Sequence, residues 1–227
     1  MDLKREAARF ALDYVRDGMI LGLGTGSTAA HFVDLLGERL RSGALRDICG
    51  IPTSEGTVQR ARAAGVPLVS LADHARLDLA VDGADEADPD LNLIKGLGRA
   101  LLREKIVEIH ADRFVVVVDE SKMVARLGRG ALPVEILPFG LEAHLRWLET
   151  LGCRAELWHE VDGSRIVTDN GNYLVRCWFP NGIADAYSLA GALAQRPGIV
   201  EHGLFLDMAS ELVVAGPEGI RVVERGK

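Results

Sequence analysis

The sequence predicts an α/β fold: a parallel, Rossmann-like sheet with helices on both faces, together with a smaller α+β domain of the split βαβ, ferredoxin-like type. Two observations predict it. In the first part of the chain, short apolar runs such as FVVVVD alternate with amphipathic segments, which is typical of parallel strands joined by helices. After about residue 127, glycines and prolines mark a boundary, and the order becomes strand–helix–strand–strand–helix–strand. We therefore expect residues 1–127 and 204–227 to form the larger domain and residues 128–203 the smaller one.

The elements of the larger domain follow from hydrophobic periodicity. Residues 2–16 carry apolar side chains on one helical face, and the run MILGLG reads as a strand ended by glycines, with a helix after it in TGSTAAHFVDLLGERL. The remaining predicted elements, in chain order, are the strand DICGIP, the capped helix TSEGTVQRARAAG, the strands VPLVSL and LDLAVD, the helix LGRALLREKIVEI and the buried strand FVVVVD.

The elements of the smaller domain are shorter. They are the strand PVEIL, the helix LEAHLRWLETLG, the strands CRAELWH and NYLVRCWF beside the turns DGS and DNGN, the helix ADAYSLAGALAQ and the last strand GIVEHGLF. We expect the tail, ELVVAGPEGIRVVE, to pair back onto the larger domain or to cap it.

Composition excludes several classes of protein. Of the 227 residues 48% are hydrophobic, which allows a sizeable core, and the net charge of −7 argues against a general nucleic-acid binder. The three cysteines are far apart and form no CxxC pair, which is typical of a reduced, cytosolic protein. No apolar signal core and no run of about eighteen apolar residues occurs, so we expect a cytoplasmic protein without a membrane span.

The segment Gly24-Thr25-Gly26-Ser27-Thr28 follows the first predicted strand. Glycines allow close backbone approach, and the free N–H groups at a helix start suit a phosphate. It is neither a Walker A loop nor a GxGxxG fingerprint, because the spacing differs. An ordinary strand-to-helix turn with a Ser/Thr cap is an equal alternative on this segment alone.

The acidic segment Asp82-Gly83-Ala84-Asp85-Glu86 ends another predicted strand. Ligands of open parallel sheets bind at the carboxyl ends of strands, so Asp82 is expected to point into such a crevice. A solvated loop and a Mg²⁺ or Ca²⁺ site are the alternatives, since carboxylates bind both ions. The six histidines show no HxH or HExxH spacing, which argues against a transition metal.

A lysine between two predicted elements and a glutamate on a helix complete the candidates. Lys95 precedes Gly96-Leu97-Gly98, and Glu104 falls among the leucines of the next helix, where a carboxyl partly removed from water suits a general base. A surface pair with Arg103 is the plainer interpretation of Glu104. Lys122, just after FVVVVD, is placed to neutralise a ligand anion, or lies in a solvated turn.

Taken together, six segments resemble the ribose-5-phosphate isomerases of type A. They match in order and spacing along nearly the whole chain: GLGTGSTA at 22–29, VDGADE at 81–86, IKGLGRALLREK at 94–105, DESKMV at 119–124, LPVEILP at 132–138 and TDNGN at 168–172. The family usually has three glycines after the lysine, whereas Leu97 occupies the middle position here.

The resemblance implies interconversion of D-ribose 5-phosphate and D-ribulose 5-phosphate in the pentose phosphate pathway, without a metal or cofactor. It assigns the general base to Glu104 and suggests a homodimer or a tetramer of dimers. The substrate-binding positions that it implies are Thr25, Gly26, Ser27, Thr28, Asp82, Gly83, Ala84, Asp85, Lys95, Gly96, Leu97, Gly98 and Lys122.

The residues fit this reaction. One carboxylate, Glu104, can move a proton between C2 and C1 through a cis-enediolate, and Lys95 with nearby backbone N–H groups can stabilise the enediolate oxygen. Asp82 or Asp85 can carry the proton that opens the sugar ring, and Thr25–Thr28 can anchor the phosphate.

Rival functions lack a feature that each of them needs. A sugar-phosphate-sensing regulator requires a DNA-binding module, and the first seventeen residues hold one helix only. The joint presence of VDGADE and KGLG argues against an amino-sugar phosphate deaminase or a CoA-transferase, and the glycine spacing argues against a dinucleotide-dependent oxidoreductase.

Overall fold

The computed structural model describes residues 2–225, and the chain divides into two compact units. The first unit comprises the described residues up to Ala84, Arg103–Met123 and those from Asp207 onward. The second comprises Asp85–Leu102 and Val124–Leu206. No helix within residues 2–225 is both long and apolar enough to span a bilayer.

The first unit is built on a six-stranded sheet. Its helices are α1 (Leu3–Ala11), α2 (Ser27–Arg41), α3 (Glu55–Ala64) and, from Arg103 on, α4 (Leu101–Glu108). Its strands are β1 (Ile20–Leu23), β2 (Cys49–Pro52), β3 (Leu79–Asp82), β6 (Phe114–Asp119), β12 (Glu211–Gly216) and β13 (Gly219–Glu224). The strand order is β13-β12-β6-β3-β1-β2, and every pair is parallel except β12–β13. The predicted parallel sheet is confirmed, and the tail joins it beside β6.

Side-chain alternation assigns the two faces of this sheet. Leu21 and Leu23 of β1 pack into the main apolar cluster of the unit, which also contains buried residues of α1 and α2. The opposite face of β1 carries Gly22, where an added Cβ would lie 2.9 Å from Val107 of α4. Because successive side chains of a strand point to opposite faces, helices cover both sides of the sheet.

The second unit contains two antiparallel sheets. Its other elements are β4 (Glu86–Ala87), β5 (Leu93–Ile94), β7 (Leu132–Ile136), α5 (Leu141–Glu149), β8 (Arg154–Leu157), β9 (Tyr173–Trp178), α6 (Ala186–Ala194), β10 (Ile199–His202) and β11 (Leu204–Phe205). One sheet has the order β10-β7-β9-β8, and the other has the order β11-β5-β4. The first order and its two helices confirm the predicted split βαβ layout, with the core between helices and sheet.

A fully buried carboxylate explains the TDNGN segment. Glu135 of β7 is 0% exposed, and its Oε1 accepts hydrogen bonds from Thr168 Oγ1 at 2.9 Å, Asn170 Nδ2 at 3.1 Å and Asn172 Nδ2 at 2.8 Å. Several donors are needed because an unpaired buried charge is costly. The segment therefore holds a loop onto the smaller sheet.

Two predicted strands differ from the structure. VPLVSL forms only one bridge, Gly50 to Leu68, because Pro67 has no N–H to give and the chain turns after Val69. GIVEHGLF is two strands, β10 and β11, which part at Gly203 and pair with different partners, β7 and β5.

The predicted domain boundaries, 1–127 with 204–227 and 128–203, stay a prediction. The compact units differ from them mainly in residues 85–102, which belong to the second unit. The reason is visible in the pairing, since β5 lies between β4 and β11 in the small sheet. Short strands inside an acidic loop carry too few residues for their periodicity to be recognised.

Candidate active site

The turn after β1 starts a helix that no side chain caps. Gly26 is the N-cap of α2. Its φ of +113° is a backbone conformation that residues other than glycine rarely adopt. Three other helices have a side-chain cap, supplied by Asp2 for α1, Ser54 for α3 and Asp185 for α6, whereas α5, whose N-cap is Gly140, has none. The first N–H groups of a helix have no acceptor within it, so the uncapped start of α2 suits an anion.

Positive charge lies beside this turn. Lys4 Nζ of α1 donates a hydrogen bond to Ser27 Oγ at 2.9 Å. Burial tends to raise the pKa of Asp119, but hydrogen bonds from Ser121 and the charges of Lys122 and Lys4 hold that pKa below its usual value. Both lysines therefore lie near the same carboxylate, at the edge of the sheet where β6 ends.

Asp82 holds the turn from the neighbouring strand. Its side chain is 1% exposed, and its Oδ1 accepts the N–H groups of Thr25 at 3.0 Å and of Gly83 at 2.6 Å. A Cβ on Gly24 would overlap the Asp82 carboxyl group, so only glycine fits there. The prediction that Asp82 ends its strand and faces the carboxyl edge agrees with this position.

Glu104 is buried and lies on the sheet face that carries Asp82. Its exposed fraction is 2%, which excludes a solvated surface pair, and Arg103 instead bonds Glu55 at 2.9 Å. Gly22 of β1 contacts Val107 on α4, and Gly24, two residues on and on the same face, contacts Asp82. Glu104 precedes Val107 by three residues, so both lie on the same side of the helix. Asp82 and Glu104 therefore share one face of the sheet.

In the second unit, Asp85 is tied to the lysine loop. Asp85 N–H donates to Ile94 O at 2.8 Å, and its Oδ2 accepts the N–H of Leu97 at 2.8 Å. Gly96 has φ of +106°, and an added Cβ would lie 2.8 Å from the side chain of Leu101. The structure thus brings Asp85 together with the loop 95–98, of which Leu97 and Gly98 are exposed.

Lys95 follows β5 and is almost fully buried, with 2% of its surface exposed. Its N–H donates to Gly203 O at 2.9 Å, and its Nζ lies 5.3 Å from the centre of the Phe205 ring. A cation over an aromatic face is stabilised electrostatically. The backbone of Lys95 is therefore held in place by the chain between β10 and β11.

Two further acids in or just after the acidic segment, Glu86 and Asp88, bind backbone N–H groups. Glu86 is 3% exposed, and its carboxylate accepts the N–H groups of Gly128 at 2.7 Å, Arg129 at 3.2 Å and Gly130. Asp88 accepts the N–H groups of Asp90 and Asn92 and so closes a turn. Glu86 and Asp88 therefore hold backbone of the second unit, and the chemical roles of Asp82 and Asp85 stay a prediction.

Sequence reasoning missed four residues beside the turn. Lys4 was counted only as part of an amphipathic helix, and Thr53, Ser54 and Thr57 only as part of a capped helix. The three hydroxyl residues contact Thr25 Oγ1 at 2.7, 2.8 and 3.1 Å. Their position at the carboxyl end of β2, the strand next to β1, is a signal that a reading of sheet topology could have used.

A metal cluster is not formed by the described side chains. Within residues 2–225, no group of three or more histidine, cysteine, aspartate or glutamate side chains is arranged to hold a metal ion. Asp82 and Asp85 instead direct an oxygen each toward backbone N–H groups.

Comparisons with known proteins agree with one another. The family model of ribose 5-phosphate isomerase A (phosphoriboisomerase A) matches residues 49–219. The chain is 53% identical to ribose-5-phosphate isomerase A of Nitrobacter hamburgensis, over 98% of this chain and 97% of that one. It is 48% identical to a probable chloroplastic ribose-5-phosphate isomerase 3 of Arabidopsis thaliana, over 99% and 83%. A solved D-ribose-5-phosphate isomerase in complex with phospho-erythronic acid superposes with a TM-score of 0.95 at 41% identity, covering 99% and 98% of the two chains.

Proposed function

Because the chain belongs to the ribose 5-phosphate isomerase A family and is an isomerase, we propose that it interconverts D-ribose 5-phosphate and D-ribulose 5-phosphate through a cis-enediolate. The reaction needs no redox reagent, since one proton leaves C2 and one returns to C1 while the oxygens exchange a hydroxyl proton. The observation that supports it best is a buried carboxylate, Glu104, on the sheet face that also carries Asp82.

Glu104 is the proposed base. A carboxylate removed from water holds a proton more readily, and one group can remove the proton and return it to the adjacent carbon. The fixed position of α4 against β1 would keep this carboxylate in place during both steps. General base catalysis of this kind contributes roughly 10²- to 10⁴-fold in rate.

The turn 24–28 is the proposed phosphate anchor. It offers the uncapped start of α2, the hydroxyls of Ser27 and Thr28, and the ammonium groups of Lys4 and Lys122 nearby. Anchoring the phosphate holds the reacting carbons against the base and removes much of the entropy cost of the reaction.

Lys95 is the proposed stabiliser of the enediolate oxygen, with the N–H groups of Gly96 and Gly98 as further donors. Its role comes from the resemblance and from the need for positive charge where the oxyanion develops. Asp82 and Asp85 are the carboxylates proposed to move the hydroxyl proton when the sugar ring opens. Gly83, Ala84 and Leu97 are proposed to contact the substrate through their backbones.

The ligand of the solved relative supports a sugar-phosphate substrate. Phospho-erythronic acid is a phosphorylated four-carbon sugar acid, one carbon shorter than a pentose phosphate.

We further propose that the reaction is independent of metal, that the enzyme serves the pentose phosphate pathway in the cytoplasm, and that it assembles as a homodimer or a tetramer of dimers. The cationic Lys95 supplies the positive charge that a metal provides in other isomerases. Light scattering of the purified protein would measure the assembly.

A coupled assay on ribose 5-phosphate with EDTA present tests the proposal. Activity should be undiminished by EDTA, whereas loss of activity that Mg²⁺ restores would favour a metal site in the acidic segment. Glu104→Gln should lower kcat by about 10³-fold while sugar-phosphate binding, measured by calorimetry, is retained. Glu104→Asp, which keeps the charge but shortens the reach, should keep more activity than the glutamine variant. Full activity of Glu104→Gln would remove Glu104 as the base.

A further inference from the structure

Four hydroxyl side chains form one cluster behind the turn. Thr25 Oγ1 lies 2.7 Å from Thr53 Oγ1, 2.8 Å from Ser54 Oγ and 3.1 Å from Thr57 Oγ1. Thr53, Ser54 and Thr57 are 1%, 6% and 6% exposed, and Thr25 is partly exposed. We call Thr25, Thr53, Ser54 and Thr57 the hydroxyl cluster. It ties a half-exposed turn to the buried segment that follows β2.

The cluster also binds the backbone that enters the turn. Thr53 Oγ1 donates to Leu23 O at 3.0 Å, and Thr57 Oγ1 donates to Gly24 O at 2.9 Å. Leu23 ends β1 and Gly24 begins the turn 24–28, so these bonds fix the direction of the turn. Asp82 holds the same turn from the other side, through the N–H of Thr25 at 3.0 Å.

Counting protons shows how the cluster is oriented. A hydroxyl has one proton to donate, and those of Thr53 and Thr57 go to backbone oxygens. Ser54 Oγ donates to Thr57 Oγ1 at 3.1 Å, and Thr25 Oγ1 donates to Ser54 Oγ at 2.8 Å. The proton of Thr25 is therefore used inside the protein. An anion at the turn would be bound by backbone N–H groups, by the hydroxyls of Ser27 and Thr28, and by the lysines.

Helix capping alone does not account for the cluster. The N-cap of α3 requires only Ser54, whose Oγ accepts the N–H of Thr57 at 3.0 Å. The hydroxyl of Thr53 instead bonds to Leu23 at the end of β1 and that of Thr57 to Gly24 after it, which capping does not need. Two additional buried hydroxyls directed at one turn indicate that the position of the turn is what they secure.

We infer that Thr53, Ser54 and Thr57 are positioning residues for the substrate phosphate, acting through Thr25 and the backbone of residues 23–24. The inference rests on the proposed function, because it takes the turn 24–28 as the phosphate anchor. It also assigns Thr25 an anchoring part inside the protein, with no side-chain hydrogen bond to the phosphate.

Valine variants test the inference. Thr57→Val and Thr53→Val keep the β-branched shape and remove the hydroxyl. Each should raise KM for ribose 5-phosphate by about tenfold and leave kcat within about twofold, because the anchor is misplaced while the reacting groups are unchanged. The inhibition constant of inorganic phosphate should rise by the same factor as KM. Thr57→Ser keeps the hydroxyl and should stay within about twofold of the parent in both constants.

A control variant that changes stability alone distinguishes a change in KM caused by a misplaced turn from one caused by lower stability. Asp185→Ala removes the side-chain cap of α6, which should lower the melting temperature without changing KM. Folded Thr57→Val and Thr53→Val proteins with unchanged KM and unchanged phosphate inhibition would overturn the inference. If neither folds, Thr25→Val takes their place, since Thr25 is partly exposed, and an unchanged KM there would overturn the inference equally.

Calorimetry with inorganic phosphate tests the positioning role even if the proposed isomerase function is wrong. A parent protein that does not isomerise ribose 5-phosphate would contradict the proposed function. The calorimetric affinities of parent and valine variants for phosphate would still be compared. Weaker phosphate binding by the variants would support the positioning role, and equal binding would contradict it.

Discussion

Two glycine-rich turns of this protein gather backbone N–H groups, and they use them differently. In the turn 128–130, three successive N–H groups donate to the buried carboxylate of Glu86. In the turn 24–28, the helix begins without a side-chain cap, and a lysine and a hydroxyl stand beside it. The first turn is closed by a charge of the protein itself, and the second is the turn proposed to bind the substrate phosphate. In that proposal, the same kind of donor serves stability in one unit and ligand binding in the other.

The difference follows from what supports each turn. Glu86 completes the turn 128–130 by accepting its three N–H groups. The turn 24–28 is secured from behind, by Asp82, which accepts the N–H of Thr25, and by the hydroxyl cluster. A binding site can keep its donors available only when other groups fix its backbone.

The largest expected effect comes from removing the charge of Glu86, the carboxylate that closes the turn 128–130. Glu86→Gln keeps the shape of the side chain but weakens three charge-assisted hydrogen bonds, so we expect a loss of about 3 kcal/mol in the free energy of unfolding. Urea denaturation measures it. Glu160→Gln, which discharges an exposed glutamate paired with Arg99 in the same unit, should cost less than about 1 kcal/mol. Equal losses in the two variants would mean that the turn 128–130 does not depend on the Glu86 charge.

A smaller effect should follow from placing a carboxylate at the turn 24–28. Ser27→Asp places a carboxylate at the first position of α2, where it imitates what Glu86 does at the other turn. We expect KM for ribose 5-phosphate to rise by roughly thirtyfold, because the new charge competes with phosphate, and the melting temperature to stay unchanged or rise. Steady-state kinetics and thermal denaturation measure the two quantities. Ser27→Asn, neutral and of the same shape, should change KM far less, and an equal change would show that bulk rather than charge is responsible.

The smallest effect concerns the cations beside the turn 24–28. Lys4→Met and Lys122→Met should each raise KM by about fivefold, and the rise should shrink at high salt, since the charges are partly exposed. Kinetics at two salt concentrations provide the measurement. Arg9→Met, another basic residue of α1, serves as the control and should leave KM unchanged. A KM that is independent of both lysines would restrict the anion site to backbone and hydroxyl donors.

The order of elements was predictable because it depends on local periodicity. FVVVVD and LDLAVD are buried strands, and the split βαβ arrangement was recognised from the alternation alone. The strands β4 and β5 were not predicted, because they are two residues long and stabilised by β11, more than one hundred residues away in the chain. The predicted strand VPLVSL was wrong for the opposite reason. Its residues are typical of a strand, but it pairs with a neighbouring strand at one bridge only.

The candidate residues were predictable where they end a strand or interrupt an apolar helix. Asp82 and Glu104 were identified in this way, and both are buried. Thr53 and Thr57 were not, because their hydroxyls act on a turn thirty residues earlier in the chain, a contact that only sheet topology creates. Glu86 could not be distinguished from Asp85 by sequence, since the two adjacent acids differ only in which backbone N–H groups they meet.

The position of Gly203 late in the sequence affects when the backbone of Lys95 can be fixed during protein synthesis. Its N–H binds Pro133 O at 2.8 Å and its carbonyl accepts the N–H of Lys95 at 2.9 Å, and no Cβ could be added without overlapping the Lys95 carbonyl. The lysine emerges from the ribosome more than one hundred residues before the glycine that fixes its backbone. During synthesis the backbone N–H of Lys95 therefore lacks its native acceptor until almost the whole polypeptide has been made.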